Sequence, residues 1–102
     1  MLDDNEQISV TELRRQEVAE YNQNIAIYMA ILKNLPTEWP EKLESFRNPK
    51  NQHKAIDEVP AESIELISQL WYADDVQHAI RTETLERTKA AAILAALEAQ
   101  QK

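Results

Sequence analysis

The sequence predicts an all-helical fold, a small bundle of three to four helices led by a long N-terminal helix, and three observations carry that prediction. The 102 residues contain no glycine and only four prolines. Glycine supplies the positive-φ turns of hairpins and the loops that cradle phosphates, so its absence argues against hairpin-rich sheets, P-loops and dinucleotide fingerprints together. Apolar residues recur at alternating spacings of three and four, the period of a helix face, and no stretch of useful length alternates as a half-buried strand would. The hydrophobic fraction of 43% and charged fraction of 28% are those of an ordinary globular domain. The expected organisation is a flexible acidic segment over residues 1–8 and a single helical domain over 9–100.

The first helix has the clearest start signal. In ISVTEL, Ser9 is placed to cap a helix, Glu12 closes a capping box three residues later, and Ile8 staples onto Leu13. Val18, Tyr21, Ile25, Tyr28, Leu32 and Leu35 then form a heptad-like seam that Pro36 stops. Ile27 and Ile31 lie across from that seam. The run IAIYMAIL at 25–32 holds eight apolar residues in a row, wraps more than two turns and leaves no polar side. Three short helices of the same chain cover one side well. Covering both is easier if a second copy supplies the missing surface, so Ile27 and Ile31 are the candidate self-association residues of a homodimer. A wholly intrachain core is the alternative.

A short second helix is expected in PTEWPEKLESFRNP, with Thr37 as N-cap, Pro40 in the first turn, and Trp39, Leu43 and Phe46 as its apolar set. Pro49 closes it. The polar stretch RNPKNQHKAIDE has no periodicity and reads as a connection. Pro60 fits the first turn of a third helix, in which Ile64, Ile67, Leu70 and Trp71 form a stripe flanked by Leu66 and continued by Ala73, Val76 and Ile80. The apolar phase slips near IRTETLE. Either one long helix bends there, or Thr82 caps a fourth carrying Leu85, Ile93, Leu94 and Leu97.

The chemistry these residues support is narrow. With no cysteine there is no disulfide framework, thiolate metal site or cysteine nucleophile. The acidic opening MLDDNEQ is unlike a secretory signal, and the apolar runs fall short of the roughly 18 residues a bilayer span needs, so a soluble cytoplasmic chain without membrane contact is expected. Eighteen acids against eleven bases leave a net charge of -7. That balance and a basic patch of only Arg47, Lys50 and Lys54 argue against direct nucleic-acid binding. No cofactor site is recognisable. Asp74 and Asp75 stand four and three residues before His78, a spacing that could offer a carboxylate and an imidazole to a metal, but a second acid-x-x-His copy from another helix is missing, so no metal is expected. A catalytic triad built from Ser63 or Ser68 with His78 and Asp74 lacks a nucleophile elbow.

Two features remain as candidate protein-binding groups. Glu58, Glu62, Glu65, Asp74 and Asp75, with Asp57, lie in a stretch without Lys or Arg and amount to a local negative field. Trp71 and Tyr72 are adjacent, so they point about 100° apart on a helix and cannot both face one core. The expectation is a small acidic interaction module, a regulator or adaptor acting on a protein partner without catalysis. The alternatives are an acidic mimic of nucleic acid that blocks a DNA- or RNA-binding protein and, more remotely, a metal-dependent helical enzyme.

Overall fold

The computed structural model describes the backbone of residues 4–100 and the side chains of residues 10–100. Over the described residues the fold is all-helical, without strands. A long helix α1 spans Asp4–Lys33, followed by two 3-10 helices over Glu41–Arg47 and Pro49–Asn51, a short α2 over Gln52–Glu58, and α3 over Ala61–Gln100. These elements form two compact units, Met1–Met29 with Ala79–Lys102, and Ala30–His78. The helix begins at Asp4, so Ser9 lies inside α1 and does not cap it, a correction to the expected start; the Ile8 staple falls outside the described side chains.

The first unit is an antiparallel pair made from α1 and α3. The direction follows from three polar links that run in opposite order along the two helices. Arg15 Nε lies 3.4 Å from Glu98 Oε1, Arg87 Nη1 donates to Asn22 Oδ1 at 3.0 Å, and Asn24 Nδ2 donates to Glu83 Oε2 at 3.3 Å. The seam expected on α1 is the covered side: Ile25 is buried, Val18, Tyr21 and Tyr28 are half-buried, and buried Thr11 extends the series towards the N-terminus. On α3 the covered positions are Ile80, Glu83, Arg87, Ala90, Leu94 and Leu97, again spaced three and four. Ala90 is the one fully buried member, and its small side chain lets the helices approach closely.

The second unit holds the larger core. Leu43, Phe46, Ala55, Val59 and Ile67 form one buried cluster, with Trp39, Ile64, Leu66 and Trp71 packed against it. This stretch winds as a 3-10 helix instead of the expected α-helix, and Leu43 and Phe46, three apart, stack on its one buried side. Pro40 stands just outside it as N-cap, and its carbonyl accepts from Leu43 N at 2.9 Å.

The connection expected over RNPKNQHKAIDE is instead helical. Asn48 Oδ1 accepts from Lys50 N at 3.0 Å and Pro49 takes the first position, so the local signals were a cap and an N-terminal proline without an apolar stripe. The stripe is missing because α2 buries a single small residue, Ala55, at 0% exposure. Its one large apolar residue, Ile56, is 79% exposed.

Of the two alternatives for residues 60–100, one long helix is the observed one: α3 is continuous and Thr82 caps no fourth helix. Pro60 precedes it, its carbonyl accepting from the amides of Ser63 and Ile64. Ile67, Leu70, Ala73 and Val76 are buried at successive spacings of three in the second unit, against alternating threes and fours in the first. The slip near IRTETLE is this change of spacing, and the backbone hydrogen bonds of the helix run through it without a new cap. Ile67 at 0% exposure and Leu85 at 58% mark the extremes of α3. Ile67→Ala is expected to cost about 2–5 kcal/mol in urea unfolding, whereas Leu85→Ala should stay within roughly 0.5 kcal/mol of the parent.

Candidate interaction surfaces

Helical geometry divides the acidic residues singled out in the sequence. Glu65 and Tyr72 are seven apart and point nearly the same way, with Asp75 one turn on, so Glu65, Tyr72 and Asp75 form one exposed stripe of α3. Glu62 precedes Glu65 by a turn and is exposed beside it. Asp74 is nine residues from Glu65, two and a half turns, and points to the opposite side. There its carboxylate is held by a two-pronged contact: Arg47 Nε donates to Oδ2 at 3.1 Å and Nη2 to Oδ1 at 3.2 Å. Arg47 also lies 3.7 Å from Glu44 Oε1. Glu58 is exposed at the end of α2, on a different element. The five acids therefore do not make one continuous track on α3, and the negative field of Asp74 is offset by a base that is 27 residues away in sequence.

The adjacent aromatics separate as their 100° offset requires. Trp71 is half-buried against the core of the second unit, and its Nε1 donates to the Phe46 carbonyl at 3.0 Å, joining α3 to the first 3-10 helix. Tyr72 is 50% exposed in the middle of the acidic stripe. Of the two, Tyr72 is the aromatic available to a partner.

Among the described residues no set of three or more His, Cys, Asp or Glu is arranged to hold a metal ion. Ser68 and His78 are ten residues apart on one helix, about 15 Å of rise, and Ser63 is further, which rules out a hydrogen-bonded Ser-His pair. His53 is exposed on α2. No helix among the described residues is long and apolar enough to cross a membrane.

The apolar run at 25–32 is the least covered part of α1 for its composition. Ile25 alone is buried, while Ile27 is 50% and Met29 58% exposed; Tyr28, Ile31 and Leu32 are half-buried and Ala26 and Ala30 exposed. From Tyr21 to Leu32 there is no charged residue, so this surface is neutral as well as apolar. Sequence reasoning did not single out as exposed either Met29, at 58%, or Leu13, at 62%. The missed signal was the position of Leu13 one residue beyond the covered seam.

No protein-family model, curated protein or solved structure matches this chain.

Tyr21 is half-buried on the α1 seam, and burial raises its phenol above the ordinary value of 10.0, with the carboxylates of Glu17, Glu86 and Glu83 adding to the effect and Lys89 opposing it. A raised phenol means the fold favours the neutral form. The stability linked to it is complete below pH 10.0 and is lost as pH rises through the higher folded value. The urea midpoint is expected to fall above that pH, and Tyr21→Phe should show a smaller fall. Equal slopes in both proteins would remove Tyr21 as the cause.

Proposed function

We propose that this chain is a non-catalytic helical interaction module that pairs with a second copy through the Ile27 and Ile31 side of α1 and offers the Tyr72 stripe of α3 to a protein partner. The observation that carries the reading is the 50% exposure of Ile27, with Ile31 half-buried one turn on, within a neutral run of which Ile25 alone is buried. Exposed apolar clusters of this kind mark interaction sites, since water is ordered against them until another surface covers them. The partner stripe is supported by composition: Glu62, Glu65 and Asp75 around a half-exposed Tyr72 combine an aromatic anchor with an acidic rim.

Light scattering at micromolar concentration is expected to give a dimer mass, and Ile27→Glu a monomer of unchanged helicity, because a side chain already half in water keeps its new charge hydrated. A monomer mass for the parent would sink the pairing. For a recovered partner, Tyr72→Ala should weaken binding by about 2 kcal/mol or more with little salt dependence. Steep weakening with salt, together with loss of binding in a Glu62→Lys, Glu65→Lys double variant, would instead favour the nucleic-acid mimic.

A further inference from the structure

α1 carries two heptad series. The covered one is Thr11, Arg14, Val18, Tyr21, Ile25 and Tyr28, every member buried or half-buried. The residue before each belongs to a second series, Val10, Leu13, Glu17, Glu20, Asn24 and Ile27, rotated about 100° around the helix. Its apolar members are open: Val10 is 41%, Leu13 62% and Ile27 50% exposed. Ile31 continues it by one turn of the same helix. Two seams about a quarter-turn apart are what a helix needs when it has two neighbours, as in a four-helix assembly, and α3 supplies only one of them.

The second series is apolar at both ends and polar in the middle, so it matches itself when reversed. Centred on Glu20, an antiparallel copy sets Leu13 directly against Ile27 and brings Val10 and Glu17 to within one residue, about 1.5 Å of rise, of Ile31 and Asn24. Charge decides the direction. Parallel pairing would oppose Glu17 with Glu17 and Glu20 with Glu20, two like-charge contacts, where antiparallel pairing leaves only the Glu20 contact at the axis and aligns the helix dipoles favourably. The same level is a centre on α3. The polar links of the hairpin put Glu20 abreast of residues near 90, and the exposed flank of α3 reverses onto itself there, Lys89 meeting Ile93 and Glu86 meeting Ala96, with no like-charge pair. Most charges along this face are also paired within their own helix, Arg14 with Glu17 at 2.8 Å and Lys89 with Glu86 at 3.1 Å. A chain of net charge -7 can approach its own copy closely only through such a neutralised surface.

We infer that a second copy docks antiparallel along Val10, Leu13 and Ile27, with the twofold axis at Glu20. This rests on the self-pairing proposed above and adds its direction and register. Because the chain has no cysteine, single-cysteine variants report on it cleanly. Under mild oxidation of the full chain, Glu20→Cys is expected to give a disulfide-linked dimer. Leu13→Cys and Ile27→Cys should not link alone, since each sits about 21 Å from its own copy across the axis, and should link when mixed. Leu13→Glu is expected to weaken the dimer at least about tenfold in sedimentation equilibrium, and Glu20→Gln to tighten it several-fold by removing the like-charge contact. Leu13→Cys and Ile27→Cys each linking alone as readily as Glu20→Cys would show parallel pairing, overturning this inference while leaving self-pairing intact. A parent that stays monomeric throughout the micromolar range would overturn both.

Discussion

Two antiparallel helices bury only one side of each other, and the first unit of this protein is built on that constraint. The seam between α1 and α3 covers Thr11, Ile25 and Ala90 fully and leaves most other seam residues half in water. An isolated hairpin of this kind gains little from apolar burial against the cost of ordering its backbone. Long helices with strong propensity reduce that cost, and α3 carries an alanine-rich stretch of which Ala90 lies at the seam. The polar links at Asn22, Asn24 and Arg15 fix direction and level more than they add stability, since they are exposed.

The second unit meets the same problem differently. Its elements are short, so it gathers them around a few fully buried positions. Ala55 at 0% exposure lets α2 lie close to its neighbours, and Ile67 fills the space between. The Trp71 indole gives the core a polar anchor by donating to the Phe46 carbonyl, which satisfies a backbone group that burial would otherwise strand. Arg47 holds Asp74 on the opposite side of α3 from Glu65. Part of the acidic content thus serves the fold, and the part left to act outward is the Glu65, Tyr72 and Asp75 stripe with Glu62 beside it.

The proposed self-pairing follows from what remains uncovered on α1. A helix whose apolar residues occupy two adjacent heptad series has a second side to bury, and the neutral stretch from Tyr21 to Leu32 lowers the repulsion that an acidic chain otherwise feels from its copy. The Tyr72 stripe lies on a different helix and carries the opposite character, acidic around an aromatic. In the proposed reading the first surface serves assembly and the second recognition.

Sequence alone determined the helical class, the α1 seam through Val18, Tyr21, Ile25 and Tyr28, the α3 stripe around Ile67 and Leu70, and the separation of Trp71 from Tyr72, because each depends only on the fixed angle per residue of a helix. It did not reveal α2, whose sole buried residue is an alanine that carries no apolar signal, and it left open whether α3 is one helix or two, because the change of spacing imitates a break. Tertiary structure alone decided that Asp74 is bound by Arg47, that Ile56 and Leu13 are exposed while Ala55 and Thr11 are buried, and which side of α1 is left open. Those outcomes depend on which helix lies against which side, a matter of contacts between residues far apart in the chain that no local period encodes.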